Sequence, residues 1–252
     1  MWFWNKKHTI AASGILAGAT DHHSHILPGV DDGVESMEEA LRVLQKYEKA
    51  GIKTIWFTPH IMEDVPNTAG KLTNRFDELK AAYNGNIELH LAAEYMIDNH
   101  LHKLLQDCHS EPQGGISTPK ENTLLPIGEK GNHLLVETSY FNPPMRLHET
   151  LKQIKSIGYH PLLAHPERYM YMSKEEYIEL REDGVKFQLN MPSLAGCYGT
   201  AVKKKAEWLL GKGLYSVAGS DLHCEDAIEY ITECKLSEKQ IEQMKELLHS
   251  NI

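Results

Sequence analysis

About seven times along this chain a short apolar or β-branched run gives way to a segment of helical periodicity. That alternation limits the fold more than any other feature. The strand-like runs are ATDHHSH (19–25), KTIWFTPH (53–60), IELHLAAEYM (87–96), HLLVETS (133–139), YHPLLAHP (159–166), KFQLNM (186–191) and LYSVAGSD (214–221). Between them, 36–51, 71–83, 98–107, 146–157, 174–183, 200–211 and 237–249 read as helices. The first helix is the best marked. Ser36 is placed to cap it with Glu39 three residues on, Gly51 ends it, and Leu41, Leu44 and Tyr47 fall at helical spacing. Residues 110–132, rich in Gly, Pro and Ser, read as a loop and not as a domain boundary. Strands alternating with helices predict a single α/β domain with a parallel sheet, wound open or closed into a barrel.

The residues that end these strands point to chemistry. His23 and His25 end the first, and His60 ends the second. Glu94 lies near the end of the third. Glu137 closes LLVE, His165 closes LLAH, and Asp221 with His223 closes SVAGSDLH. In a parallel α/β sheet all C-terminal strand ends open on one face, where sites form. Residues two hundred positions apart are therefore expected to meet. His23 and His25, two apart on a strand, share a face and can reach one ion, while His22 points the other way.

Nitrogen and oxygen donors without thiolates suit borderline to hard ions such as Mn, Fe or Zn. A carboxylate can bridge two ions, a role open to Glu94 or Asp221. Two or three close ions would clamp a phosphate and generate hydroxide at neutral pH. Singly, each of these residues has an ordinary explanation as a packed or solvated group. Jointly, strand end after strand end would bury costly polar groups without purpose. Arg168, three residues after His165, could grip a phosphate bidentately; the competing reading is a surface salt bridge to Glu167 or Glu175.

Composition removes several function classes. A formal net charge of −9 works against binding a polyanion such as nucleic acid, and Lys203-Lys204-Lys205 reads as a solvated helical turn. No segment approaches the ~18 apolar residues of a membrane span, so no membrane insertion is expected. The four cysteines form no CxxC pair and no Cys-x5-Arg loop, which speaks for a reduced protein and against a thiolate phosphatase. Lys6-Lys7 ahead of TIAASGILAGA has the flank of a short signal peptide, but the stretch has many small residues and runs straight into the His-rich loop, so a mobile or packed extension of a cytoplasmic protein is expected.

The motifs DHHSHILPGVDDG, TPH, AAE, VETS, AHPERY and GSDLH, spread over about residues 20–225, resemble the PHP (polymerase and histidinol phosphatase) superfamily. More narrowly they resemble its bacterial manganese-dependent protein-tyrosine phosphatases of capsule and exopolysaccharide systems. The resemblance implies a distorted (βα)7 TIM-like barrel spanning 20–252, with 1–19 as an N-terminal extension. It implies up to three ions, Mn2+ first, with Fe, Zn, Co and Mg as alternatives. One ion would take His23, His25, Glu94 and Asp221, and a second Glu94, Glu137 and His165. A third would take Asp32, His60 and His223, with Asp31 as the alternative to Asp32. Arg168 would hold the substrate phosphate, and Asp221 could assist as an acid. The implied substrate is a phosphotyrosine protein, the tail of a bacterial tyrosine kinase. Two departures stand out: no Arg follows the last motif in SDLHCEDAIEY, and the N-terminal extension is longer than in compact members. A small-molecule phosphatase such as a histidinol phosphatase, a phosphodiesterase, and a non-catalytic kinase-binding partner are the competing readings. Oligomerisation is left open.

Overall fold

Each helix that follows a strand has to cover that strand's outer face, and side-chain caps at Ser36, Thr68, Ser173 and Ser237 fix where four of them begin. A computed structural model describes residues 6–110 and 123–252. Its elements begin with β1 (Lys7–Thr9), α1 (Ile10–Ser13), β2 (Thr20–Ser24), α2 (Met37–Ala50), β3 (Thr54–Phe57), β4 (His60–Ile61) and α3 (Ala69–Ala82). They continue with β5 (Glu88–Leu91), β6 (Glu94–Met96), α4 (Asn99–Ser110), β7 (His133–Glu137), α5 (Leu147–Ser156), β8 (His160–Ala164) and α6 (Lys174–Glu182). The last are β9 (Lys186–Asn190), α7 (Met191–Ala195), α8 (Thr200–Gly211), β10 (Val217–Gly219), α9 (Ala227–Thr232), β11 (Lys235–Ser237) and α10 (Glu238–Leu248). The loop expected at 110–132 lies outside the described residues over 111–122.

The helix at 37–50 shows how the sequence sets an element. Ser36 Oγ accepts the Glu39 N–H at 3.2 Å, and Gly51 ends the helix in the left-handed region at φ 96°. Glu38 and Glu39 in the first turn and Lys49 in the last complement the helix dipole. Ala40, Val43, Leu44 and Tyr47 are buried against the sheet, whereas Leu41 is only half-buried.

The parallel strands curl into a ring. Six pair in the order β10-β9-β8-β7-β6-β4, and three as β2-β3-β5. The second and third expected strands are each interrupted, as β3/β4 and β5/β6, yet the register does not slip. Thr54 faces Glu88, Phe57 faces Leu91 and His60 faces Glu94. Pro59 explains the gap, because it has no N–H to return to the ladder. Ala92 and Glu94 still donate across it, to Phe57 O and Pro59 O.

Between β2 and β10 the ring closes through Asp221 N–H to His23 O at 2.8 Å and His25 N–H to Leu222 O at 3.0 Å. Asp21 seals the seam by accepting from Ser220 N at 2.8 Å and Tyr47 Oη at 3.0 Å. Gly219 is required there: a Cβ would stand 2.5 Å from the His23 Cβ. Inside the ring, Ala92, Leu135, Leu162, Ala164 and Val217 fill the lumen. The larger core lies between strands and helices. The alternation predicted a parallel sheet, open or closed, and the distorted barrel is the form that the resemblance implied.

Several short elements were not expected, because three to six residues carry no readable period. One is the antiparallel ribbon in which Lys7 faces Ser237 and Thr9 faces Lys235. Residues Ile10, Ile15 and Leu16 sit in the main core, so this stretch does the work of a packed segment. No helix among the described residues is long and apolar enough to cross a membrane.

Candidate metal centre

The alternation of β2 turns its histidines to opposite sides. His22 points away from the site, its Nδ1 3.1 Å from Ala218 O, and burial pushes it down to about 4. His23 and His25 point inward, with Nε2 atoms 3.1 Å apart. Each has its other nitrogen engaged. His23 Nδ1 lies 3.0 Å from Gln188 Oε1, an oxygen that also accepts the His165 N–H at 3.1 Å. His25 Nδ1 lies 2.8 Å from Asp31 Oδ2. A donated proton on each Nδ1 leaves two Nε2 lone pairs facing one another. Such a contact is repulsive unless a proton or a cation lies between them.

Carboxylates complete the cage. His23 Nε2 and His25 Nε2 stand 3.2 and 3.3 Å from Glu94 Oε2, and each stands 3.5 Å from Asp221 Oδ1. Four atoms bound tetrahedrally at about 2.1 Å would be about 3.4 Å apart, so this set matches the span of a single ion. A second set consists of His60, Glu94 and Glu137, with His60 Nδ1 3.1 Å from both Glu94 Oε2 and Glu137 Oε1. A third consists of His25, Asp32, His60 and His223. Eight of the nine residues singled out as ligands fall in these three sets, and the ninth, His165, lies against Glu94. His60 stands beside Glu94 and Glu137 through its Nδ1, while its Nε2 faces Asp32 at 3.5 Å. His165 Nε2 approaches the far oxygens of the same pair, 3.0 Å from Glu94 Oε1 and 3.8 Å from Glu137 Oε2. Glu94 thus presents one oxygen to three imidazoles and the other to a fourth. Of the two neighbouring aspartates, Asp31 lies against His25, and Asp32 stands near His60 and His223.

The donors fit a cation on two further grounds. Buried His60 Nδ1, Glu94 Oε2 and Glu137 Oε1 approach one another at 3.1 Å without a well-directed hydrogen bond, a costly arrangement unless a charge satisfies them. The electrostatics agree. Burial alone would depress His23, but Glu94 and Asp221 overcome it and push it up to about 9. Burial likewise opposes charge on His60, and Glu137 and Glu94 lift it to about 11. For Asp31, burial would raise the carboxyl, yet His25 holds it down at about 2. The carboxylates thus attract positive charge strongly enough to hold protons on imidazoles, and a metal ion would displace those protons.

Backbone strain is concentrated at the same place. Among the described residues, His165 (φ 32°) and Asp221 (φ 51°) are the non-glycine residues in the left-handed region. Such costs persist where the surroundings over-determine a conformation. Gly33 belongs to the same packing, since a Cβ there would collide with the His25 carbonyl.

Arg168 does not pair with Glu167 or Glu175. Its Nη1 donates to Asp221 Oδ2 at 3.1 Å, and its guanidinium lies 3.9 Å from the Tyr140 ring centre and 4.3 Å from that of Tyr198. It borders a cavity of about 750 Å³ shared with Asp32, His60, Glu137, Asp221 and His223. Among the described residues lining that cavity, it is the one lysine or arginine. In SDLHCEDAIEY, where a second arginine was missed, Cys224 lines the cavity. Glu225 is turned outward to Arg42 and Lys46, both at 2.9 Å.

Sequence reasoning missed Gln188, Asn190, Tyr140, Tyr169 and Tyr198. Gln188 and Asn190 lie two apart and fully buried on β9, the spacing that had singled out His23 and His25. Lys205 corrects a further expectation. Instead of being solvated, its Nζ donates to Tyr169 O at 2.8 Å and Met172 O at 3.2 Å, tying down the turn that follows Arg168.

The family model for capsular polysaccharide synthesis, CpsB/CapC, matches residues 19–251. The tyrosine-protein phosphatase CpsB of Streptococcus pneumoniae is 28% identical over 226 residues, covering 82% of this chain and 84% of that protein. The tyrosine-protein phosphatase YwqE of Bacillus subtilis is 26% identical over 207 residues, covering 81% and 76%. A crystal structure from work on YwqE and CpsB, described there as metal-dependent tyrosine phosphatases, superposes with a TM-score of 0.70 at 24% identity, over 91% of this chain and 93% of that one. The chain belongs to the CpsB/CapC family.

Proposed function

We propose that this chain is a metal-dependent protein-tyrosine phosphatase acting in capsular or extracellular polysaccharide synthesis. The observation that carries the reading is a buried cluster of four imidazoles and three carboxylates opening, beside a single guanidinium, into an aromatic-lined cavity. The nine ligands are His23, His25, Asp32, His60, Glu94, Glu137, His165, Asp221 and His223. They would hold up to three ions, Mn2+ first, with Fe, Zn, Co and Mg able to use the same donors. When bound, the ions supply positive charge to the phosphoryl oxygens and lower the pKa of water to give a nucleophile at neutral pH.

The chain's own residues do the rest. Arg168 holds equatorial phosphate oxygens in its planar fork. Glu94 keeps the imidazoles converged, and Asp31 and Gln188 fix the tautomers of His25 and His23. Asp221 lies beside Arg168 and could assist as an acid. Burial would raise it, but the surrounding imidazoles, His23 first, hold it below the usual range. A phenolate leaving group tolerates this, since tyrosine's own pKa is about 10. The substrate is a phosphotyrosine protein, with the tail of a bacterial tyrosine kinase as the physiological target in the cytoplasm.

The test is hydrolysis of a phosphotyrosyl peptide with added Mn, with histidinol phosphate as the small-molecule control. Wild-type protein is expected to hydrolyse the peptide in preference. His60→Ala should lose metal and activity together, and Arg168→Ala should keep metal but turn over poorly. Preference for histidinol phosphate, or normal turnover in both variants, would overturn the reading.

A further inference from the structure

Arg168 is anchored by a closed ring of side chains drawn from three strand ends and a loop. Its Nη1 donates to Asp221 Oδ2 at 3.1 Å. The same oxygen accepts from Asn190 Nδ2 at 2.8 Å, and that amide donates again to Tyr198 Oη at 3.3 Å. The Tyr198 ring then returns to Arg168, its centre 4.3 Å from the guanidinium carbon, and the Tyr140 ring centre lies 3.9 Å from the same carbon. Both hydrogens of the Asn190 amide are used. Its backbone N–H is held by Glu167 Oε1 at 3.0 Å, on the three-residue turn that carries Arg168. Oδ2 of Asp221 is thereby occupied by the ring, and Oδ1 is left facing His23 and His25.

We propose that Tyr198 is a positioning residue: its ring sets the plane of the Arg168 guanidinium, and its hydroxyl, through Asn190, sets the rotation of the Asp221 carboxylate. This rests on the phosphatase reading of Arg168. A guanidinium grips phosphate bidentately only when its plane is correctly presented, and a long side chain at 19% exposure would otherwise sample several rotamers. No second lysine or arginine lines the described cavity wall to compensate. Tyr198 is itself 37% exposed, so its ring is held by these contacts rather than by deep burial.

The test compares full-length Tyr198→Leu, Tyr198→Phe, Arg168→Ala and the double variant Tyr198→Leu/Arg168→Ala, each loaded with Mn. Loss of the stacked ring should lower kcat/KM for a phosphotyrosyl peptide about tenfold. It should weaken inorganic phosphate binding severalfold by calorimetry, with metal content unchanged. Tyr198→Phe keeps the ring and should recover most of the loss. In the Arg168→Ala background Tyr198→Leu should cost nothing further, because its effect passes through the guanidinium. An additive loss in the double variant, loss of metal in Tyr198→Leu, or wild-type phosphate binding by Tyr198→Leu would overturn the assignment. If wild type is active and Arg168→Ala is not, such a result removes only the role of Tyr198. If wild type is inactive with metal, the phosphatase reading fails and this inference with it.

Discussion

Replacing Glu94 by glutamine removes one negative charge and almost no volume from the middle of the cluster. Glu94 is fully buried, with Oε2 3.1–3.3 Å from nitrogens of His60, His23 and His25 and Oε1 3.0 Å from His165. In chelator-treated protein it is the counter-ion of protonated imidazoles. At an effective dielectric of about 20, one unit pair at that distance attracts by about 5 kcal/mol. Breaking a buried pair costs about 3–5 kcal/mol net, because the partner charge is left stranded. For a chain of this size 1 kcal/mol moves the melting point by about 2–4 °C, so Glu94→Gln should melt about 10 °C lower.

The pH dependence gives a sharper test. Glu94 is held well below its usual range: burial opposes this, and His23 and the other imidazoles overcome it. Its contribution is therefore present above the unfolded carboxyl pKa of about 4.5. His23 and His60 are raised to about 9 and about 11, so their contributions are complete below about 6.5 and fade as pH climbs through those values. The gap between wild type and variant should be widest between about pH 4.5 and 6.5 and should narrow by pH 9. Thermal melts in chelator at pH 5.5 and pH 9 measure it. A gap below about 1 kcal/mol, or one independent of pH, would refute the charge-pairing reasoning.

Two further perturbations address separate parts of the centre. Gly219→Ala forces a Cβ to 2.5 Å from the His23 Cβ at the barrel seam; denaturant titration should show a loss of about 1–3 kcal/mol, and metal analysis a fall in content, whereas full retention of both would mean that the seam tolerates the methyl. Asp31→Asn removes the carboxylate that holds His25 Nδ1–H at 2.8 Å; metal affinity should fall about 10- to 100-fold with the fold intact, and unchanged affinity would remove Asp31 from this role.

The readable part of this molecule was its periodicity. The two-residue spacing of His23 and His25 separated them from His22 without any coordinates, and strand-end positions brought Glu94, Glu137, His165 and Asp221 together. Neutral polar residues escaped notice because only ionisable types were followed. Gln188 and Asn190 share the same spacing inside an otherwise apolar strand, and that was the available signal. Asp31 and Asp32 could not be separated in sequence, since the turn that follows decides which one faces His25. Lys205 was misread because its partners, Tyr169 and Met172, lie more than thirty residues away and a basic run is ordinarily solvated. The inverted backbone at His165 and Asp221 has no local signature either; neither is glycine, and the strain is imposed by the surrounding packing.

The most direct measurement is anomalous diffraction at the manganese edge from crystals soaked in Mn2+. Convergent donors predict a strong peak enclosed by His23, His25, Glu94 and Asp221, with further density beside Glu137 and between Asp32 and His223. Fully soaked crystals with no anomalous peak among those four side chains would contradict the account.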